Sequence, residues 1–199
     1  MKPKTINMRK VILSMQMSLD GFIEGPNGAM DWLAQDDDDG WENIFHELTS
    51  VDAFLLGGGM YPEYAKYWAA ALTNPSSPKN ENKYARIAEK TQHIVISSTL
   101  SKVDPVGQGK TRIVKENFAE EIRQMKEGPG KNMLIWGGAM MASTFVNLRL
   151  VDEYRLVVNP IVLGGGKALF NNLKQKYTLK LLETKPLKSG AVILRYQSA

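Results

Sequence analysis

The sequence of 199 residues contains no cysteine, and its only histidines are His46 and His93. Disulfide bonds, thiolate metal sites and a cysteine nucleophile are therefore excluded. The two histidines lie far apart and lack the spacing of metal ligands, so we expect no metal site. No apolar run reaches the roughly 18 residues that cross a bilayer, and the N-terminal segment does not resemble a secretory signal. These absences favour a cytoplasmic protein with no membrane partner.

Charge is also modest, with 23% charged residues and a net charge of +4. The basic residues are scattered, whereas nucleic-acid binding favours a basic stripe with stacking aromatic residues, so no nucleic-acid partner is expected. The hydrophobic fraction of 43% is ordinary for a globular protein. The length fits one domain, and no internal repeat divides it. We expect a single domain over residues 1–199 that binds a small-molecule substrate.

Segments typical of strands and of helices alternate along most of the chain. Strands are predicted at residues 10–17, 51–56, 93–97, 112–115, 133–136 and 153–160, and helices at 41–48, 62–71, 118–126, 139–148 and 168–173. Residues 73–82 have the composition of a loop after which sheet-like segments resume. Residues 177–185 and 191–197 are expected to form a closing antiparallel pair. This order predicts an α/β fold with a mostly parallel central sheet, helices on both faces and an antiparallel C-terminal edge.

Glycine clusters at residues 57–59 and 137–138 each follow a predicted strand and precede a predicted helix. Glycine allows a phosphate to approach the backbone closely, and the free N–H groups of the next helix attract the anion. Two such turns on neighbouring strands would hold the two ends of a dinucleotide. The alternative is that the glycines only form tight turns. A third cluster, residues 164–166, is either a similar element or a plain connecting loop.

Polar residues at the ends of predicted strands are further candidates. Asp20 follows the first strand, where ligands meet an open α/β sheet, and its carboxyl group would donate a proton or hydrogen-bond a heterocycle. Asp-Gly is equally a common turn pair. The hydroxyls of residues 97–99 would contact a phosphate or ribose, or cap the following turn. The aspartates 36–39 lack the spacing of a calcium loop and are expected to begin a helix, although one of them pointing into a cleft is an alternative.

Taken in order, several segments resemble the dihydrofolate reductase-like family, in particular the riboflavin-biosynthesis reductases (RibD C-terminal domain relatives). The resemblance spans residues 10–196. It is carried by residues 18–23, 25–28 and 31–33, by Leu56-Gly57 with Met60-Tyr61, by Ser97 with Thr99-Leu100, by residues 136–139, and by residues 150–154, 160–166 and 169–170.

The resemblance implies an NAD(P)H-dependent reductase that transfers hydride to a heterocyclic or ribosyl C=N or C=O centre of a riboflavin-precursor-like or pterin-like substrate. It also implies a homodimer. Asp20 would face the reacting centre, with Met15, Met17 and Trp32 on the substrate side, although methionines at 15, 17, 140 and 141 are also typical of core packing. The cofactor-binding residues implied are Gly57, Gly58, Met60, Tyr61, Ser97, Ser98, Thr99, Gly137, Gly138, Ala139 and Met140.

The chain departs from the family at Gly58 and Ser98, where the family commonly has arginine. Those arginines hold the adenosine 2′-phosphate by a bidentate contact that glycine and serine cannot make. Losing one such contact costs about 1.5–3 kcal/mol, roughly tenfold to a hundredfold in affinity. The resemblance implies NADPH as the cofactor, and the absence of these arginines makes NADH an alternative. The missing arginines also support a second hypothesis, a nucleotide-binding or regulatory protein that kept the fold and lost turnover.

Overall fold

The computed structural model describes residues 8–33 and 38–199, which form strands β1 to β10 and helices α1 to α5. The strands are β1 (Val11–Ser18), β2 (Phe22–Glu24), β3 (Val51–Gly57), β4 (Gln92–Ile96), β5 (Thr111–Val114), β6 (Asn132–Ile135), β7 (Glu153–Asn159), β8 (Lys167–Ala168), β9 (Leu179–Pro186) and β10 (Val192–Ser198). The helices are α1 (Asp38–Leu48), α2 (Tyr61–Thr73), α3 (Lys79–Lys90), α4 (Phe118–Glu127) and α5 (Ala139–Asn147). In these two described stretches, no helix combines the length and apolarity needed to cross a membrane.

Eight of the strands form one sheet in the order β5-β4-β3-β6-β1-β7-β10-β9. The six strands from β5 to β7 run parallel to one another, and β10 runs antiparallel to both β7 and β9. The predicted α/β fold, with a mostly parallel sheet and an antiparallel C-terminal edge, is therefore confirmed. The final strand pair is confirmed as well, with a bulge between Arg195 and Tyr196.

The two faces of the sheet carry separate hydrophobic cores, as the alternation of side chains along β1 shows. Leu13 belongs to a core shared with α4 and α5, whereas Ile12 belongs to a core shared with α1, α2 and α3. Successive side chains of a strand point to opposite faces, so neighbouring residues serve opposite layers. Both faces are covered by helices, which explains why the central strands are nearly continuous runs of apolar residues.

Two of the predicted elements are wrong. Residues 73–82 are not a loop that leads directly back to the sheet, because α3 begins at Lys79 within them. The first turn of α3 is polar, and its buried side chains, Tyr84, Ala85 and Ala88, come later in the helix. The predicted helix at residues 168–173 is absent; Lys167–Ala168 pairs with β2 instead, and Leu169 is buried. Pairing with a distant segment overrides the local pattern there.

The acidic run begins a helix, as predicted, for the two residues of it that are described. Asp38 and Asp39 lie in the first turn of α1, where carboxylates oppose the positive end of the helix dipole. Their carboxylates accept from Asn80 Nδ2 at 2.9 Å and from Lys188 Nζ at 3.1 Å, respectively. Asp36 and Asp37 lie outside the described residues.

A small two-stranded ribbon, formed by β2 and β8, lies beside the end of β1. The ammonium group of Lys167 contacts both carboxylate oxygens of Glu24, at 2.7 and 2.6 Å. Gly166 enters the ribbon with φ of +126°, and a Cβ atom there would collide with the Glu24 carbonyl oxygen and come within 2.9 Å of Gly25. The ribbon therefore requires glycine at this position.

Replacing Gly166 by alanine is expected to lower the free energy of unfolding by roughly 2 kcal/mol or more, because it adds both a clash and backbone strain. Gly165→Ala is the matched control, since no described atom lies within 4 Å of its Cβ position. The control should change stability by less than about 1 kcal/mol. Chemical denaturation of both variants measures the difference, and equal stabilities would contradict the structure of the ribbon.

His93 on β4 is fully buried among aromatic rings. Its imidazole packs 5.4 to 5.6 Å, centroid to centroid, from Phe54, Tyr61 and Tyr64, and its Nε2 atom lies 3.4 Å from the Tyr64 hydroxyl. Burial disfavours the charged imidazolium and lowers the pKa of His93 to about 4. This histidine is a neutral core residue in the folded protein, as its isolation in the sequence suggested.

The free energy of unfolding should therefore fall as the pH drops from about 6.5 to about 4. The unfolded chain takes up a proton at His93 near pH 6.5, whereas the folded chain does so only near pH 4. The loss attributable to His93 is at most on the order of 3 kcal/mol. In denaturation curves across this range, His93→Gln should flatten the pH dependence, and His46→Gln should retain it. Parallel curves for the wild type and His93→Gln would refute the assignment.

Candidate functional site

The carboxyl ends of the parallel strands meet along one edge of the sheet, and β3 and β6 are neighbours there. Leu55 pairs with Ile135, and the Trp136 amide donates to the Leu55 carbonyl oxygen at 3.1 Å. Gly57 and Gly137 follow these paired residues at equal distance along the chain, so the two glycine turns lie side by side. This is the arrangement in which both turns can contact one elongated ligand.

Each of the two turns leads directly into a helix whose start has no side-chain cap among the described residues. Met60 is the N-terminal cap position of α2, and Gly138 is that of α5. The first N–H groups of a helix have no acceptor within the helix, and the dipole adds positive potential. Pro62 removes one donor from α2, so the start of α5 offers the fuller set of amides. The starts of α2 and α5 together form an edge of the sheet at which an anion can bind.

Close packing explains why glycine occupies the turns. Gly137 has φ of +120°, and a Cβ atom there would lie 2.5 Å from the Met60 sulfur. A Cβ atom on Gly58 would lie 2.5 Å from both Cβ and Oγ of Ser97. The space beside Gly59 is open, with no described atom within 4 Å of its Cβ position. The three turns thus interlock, the Met60 thioether lies across Gly137, and open space remains for a ligand beside Gly59.

The Ser97 segment follows β4, next to the Gly58 turn. The Ser97 hydroxyl accepts from the Leu100 amide at 3.1 Å and from the Thr99 amide at 3.3 Å, so it caps the turn. Ser98 and Thr99 are exposed. Of the two interpretations offered by the sequence, turn capping describes Ser97, while Ser98 and Thr99 remain accessible to a ligand.

The remaining expected cofactor contacts differ in exposure. The Tyr61 ring is buried and hydrogen-bonds Thr111 Oγ1 at 2.7 Å, so only the Tyr61 backbone faces the turn. Ala139 is buried as well. Met140, in the first turn of α5, is 84% exposed. Met140 is therefore the side chain at this helix start that a ligand would meet first.

The expected substrate-side residues fall into two groups. Met15 and Met17 on β1 pack against the α4–α5 core, so both are at least partly core residues. Trp32 follows the 3₁₀ turn Pro26–Gly28, and its indole N–H donates to the Ala29 carbonyl oxygen at 3.0 Å. That contact ties Trp32 to its own loop, and no described contact joins it to the methionines.

Asp20 lies just past the end of β1, and its carboxylate accepts three hydrogen bonds from residues that the structure describes. The donors are the Ser18 hydroxyl at 2.7 Å, the Leu163 amide at 3.1 Å and the Gly164 amide at 2.8 Å. The Ser18 hydrogen bond is the largest influence lowering the pKa of this carboxyl group, and the loop amides act in the same direction. A carboxyl group with a lowered pKa is a weak proton donor near neutral pH. These contacts assign Asp20 to the loop, and its contact with a substrate stays a prediction.

A polar cluster that was not predicted from the sequence lies on the face of β1 opposite to Met15 and Met17. Glu47 on α1 forms a buried ion pair with Arg155 on β7, and its carboxylate accepts from the Ser14 hydroxyl at 3.2 Å. Burial raises the pKa of Glu47, and Arg155 opposes that effect. Asn159 Nδ2 lies 3.4 Å from Gln16 Oε1. Polar residues at every second position of β1 were the available signal, because such residues share one face.

A charged depression also lies on the surface, away from the glycine turns. It has a volume of about 490 Å³ and lies at the opposite edge of the sheet, near Lys10 and Lys126. These two cations pair with Glu153 and Asp152, respectively. Across residues 8–33 and 38–199, no group of three histidine, aspartate or glutamate side chains is placed to hold a metal ion.

Sequence relatives support the family resemblance that the sequence segments carry. The family model described as the RibD C-terminal domain matches residues 9–193. The uncharacterized protein YyaP of Bacillus subtilis is 34% identical over 191 residues, which cover 96% of each chain. The riboflavin biosynthesis protein RibD of Corynebacterium ammoniagenes is 23% identical over 169 residues, which cover 82% of this chain and 47% of that protein.

Solved structures share the fold at low sequence identity. A riboflavin biosynthesis protein from Shewanella sp. PV-4 superposes with a TM-score of 0.75 at 20% identity, covering 96% of this chain and 99% of that one. The deaminase/5-amino-6-(5-phosphoribosylamino)uracil reductase of Thermotoga maritima gives 0.67 at 15% identity, with coverages of 96% and 57%. Dihydrofolate reductase from Enterococcus faecalis, complexed with NADP(H), gives 0.61 at 12% identity, with coverages of 95% and 96%.

These structural likenesses show that the chain has a dihydrofolate reductase-like fold. The family match covers nearly the whole chain, from the residue before Lys10 to Ile193 on β10. The chain belongs to the RibD C-terminal domain family.

Proposed function

We propose that this chain is an NAD(P)H-dependent reductase that binds the dinucleotide across the Gly57 and Gly137 turns. The observation that carries the proposal is the pair of neighbouring strands, β3 and β6, each ending in a glycine turn before an uncapped helix start. A dinucleotide has its negative charge at the central pyrophosphate, which suits exposed amides at a helix start. The Enterococcus faecalis relative in fold is a complex with NADP(H).

The open space beside Gly59 and Gly138 also suits a dinucleotide. Glycine at 59 and 138 leaves the backbone uncovered on the ligand side, where the atoms nearest to an added Cβ are at least 3.9 Å away or absent from the described residues. The amides of α5 would hold the pyrophosphate, and the exposed Ser98 and Thr99 would meet the adenosine end. When bound, the cofactor supplies the hydride. The protein's own contribution is orientation and the exclusion of competing geometries.

The proposed substrate carries a heterocyclic or ribosyl C=N or C=O group. Strand β1 is the neighbour of β6 on the side away from β3, so a substrate beside the nicotinamide would lie at the end of β1. Gln16 supplies an amide group on the α1 face there, and buried Asn159 donates to its side-chain oxygen at 3.4 Å. A uracil ribosylamine, as named for the Thermotoga maritima reductase, or a pterin offers matching donors and acceptors.

A second candidate function is nucleotide binding without turnover. Asp20, the residue expected to face the reacting centre, is engaged by three donors and has a lowered pKa. A protein that binds the dinucleotide but oxidises none of it in the presence of pterins or aminouracil ribosides would fit this alternative. The expected homodimer and cytoplasmic location stay predictions from the sequence.

Met140→Glu is expected to weaken NADPH binding at least tenfold, measured by isothermal titration calorimetry. The substitution places a carboxylate at the proposed pyrophosphate position, and a like charge in close range costs on the order of 1.4 kcal/mol. An acidic residue in the first turn of a helix favours folding, so the fold should survive. Met140→Gln, similar in size and neutral, is the control and should bind almost normally. Equal affinity of the two variants would place the pyrophosphate elsewhere.

Wild-type affinities for NADPH and NADH should lie within about tenfold of each other, because neither Gly58 nor Ser98 supplies a cation for the 2′-phosphate of NADPH. The Gly58 position is also closed to a side chain by Ser97. Ser98→Arg should raise NADPH affinity roughly tenfold to a hundredfold and leave NADH affinity nearly unchanged. Ser98→Gln provides the uncharged control. A wild type that already prefers NADPH by a hundredfold would show that other cations hold the 2′-phosphate.

A further inference from the structure

The loop of residues 160–166, here called the glycine loop, connects β7 with the β2–β8 ribbon and lies beside the end of β1. Its two ends are attached by backbone hydrogen bonds. Leu19 donates to the Ile161 carbonyl oxygen at 2.8 Å, and Leu169, just past the loop, donates to the Gly21 carbonyl oxygen at 2.9 Å. Neither bond reaches the middle of the loop.

The middle of the glycine loop has few apolar contacts of its own. Val162 is 65% exposed, and no described atom lies within 4 Å of the Cβ positions of Gly164 and Gly165. Segments with few buried contacts open at low free-energy cost unless specific hydrogen bonds hold them. The Asp20 carboxylate provides such bonds, from Oδ1 to the Leu163 amide and from Oδ2 to the Gly164 amide.

The Asp20 carboxylate is itself held in position by β1. The Ser18 hydroxyl donates to Asp20 Oδ1 at 2.7 Å and accepts from the Phe22 amide at 2.9 Å. These two hydrogen bonds fix the orientation of the Ser18 hydroxyl. The Ser18 hydroxyl and the Leu163 and Gly164 amides all face the carboxylate as donors. Only an ionised carboxylate can accept from all of them without presenting a hydrogen atom of its own. The lowered pKa of Asp20 has the same cause.

We propose that Asp20 is a positioning residue that, in its ionised form, latches the glycine loop to the end of β1 and so forms the wall of the substrate side. The strand order places the loop on the far side of β1 from the Gly137 turn. The latch therefore orders the part of the site that receives the heterocyclic substrate and not the part that receives the dinucleotide. Assigning that wall to a substrate rests on the proposed function, whereas the latch itself does not.

The direct test compares Asp20→Asn, Asp20→Glu and the wild type by hydrogen–deuterium exchange of peptides covering residues 160–166. Asp20→Asn should speed exchange in the glycine loop at least tenfold, because the amide side chain presents donors to a site that requires acceptors. Asp20→Glu, which keeps the carboxylate, should restore much of the protection. Asp31→Asn, at an exposed aspartate of the next loop, is the control and should exchange like the wild type. Unchanged exchange in Asp20→Asn would overturn the latch.

A pH titration of the wild type, followed by NMR, tests the latch without requiring that any variant folds. The amide resonances of Leu163 and Gly164 should shift together with a midpoint below 3.8, the ordinary value for aspartate, because protonating Asp20 releases both. A midpoint at or above that value, or no joint shift, would refute the latch.

Dinucleotide affinity separates this inference from the proposed function. Asp20→Asn should bind NADPH within threefold of the wild type, while the KM of any reducible substrate should rise more than tenfold. A larger loss of NADPH affinity in Asp20→Asn would contradict the assignment of the latch to the substrate side. If the wild type binds neither NADPH nor NADH, the proposed function fails, and the exchange experiment still decides on the latch.

Discussion

The parallel pairing of β3 with β6 is the constraint on which the site depends. Parallel strands present their carboxyl ends at the same edge of a sheet, and the register of Leu55 with Ile135 brings the two following turns level with each other. Each turn must then lead into a helix that packs back on the sheet. Two helix starts are thereby brought together, and the Met60 side chain of one turn packs on Gly137 of the other.

The two faces of β1 give the site its asymmetry. Met15 and Met17 face the α4–α5 core, and Ser14 and Gln16 face α1, where the buried pair of Glu47 and Arg155 lies. Hydrogen-bonding groups near the end of this strand therefore come from the α1 face. Breaking a buried ion pair by removing one partner is costly, so Glu47 and Arg155 also hold α1 over the sheet.

Much of the fold could be predicted from the sequence because its strands are short apolar runs ended by glycine or a polar residue. Residues 51–56 and 133–136 are such runs, and both became strands of the parallel sheet. Helix α3 was missed because its first turn is polar and its core contacts, Tyr84 and Ala88, come later. Strand β8 has only two residues, and its existence depends on pairing with β2 rather than on local propensity.

In the candidate site, too, some features could be predicted from the sequence and others could not. The glycine turns could be predicted because backbone requirements are local, and Gly137 and Gly138 do adopt positive φ values. The partners of Asp20 could not be predicted, since Leu163 and Gly164 are 143 and 144 residues away. The ion pair of Glu47 with Arg155 spans 108 residues. No spacing in the sequence encodes such contacts, which exist only once β1, β7 and α1 are packed together.

The most direct measurement of the central claim is backbone amide chemical-shift mapping during a titration with NADPH. We expect the largest shifts in residues 57–61 and 137–141, in the same titration and with the same dissociation constant, because one molecule contacts both turns. Shifts confined to one turn, or none in either turn with NADPH and NADH at millimolar concentration, would contradict it.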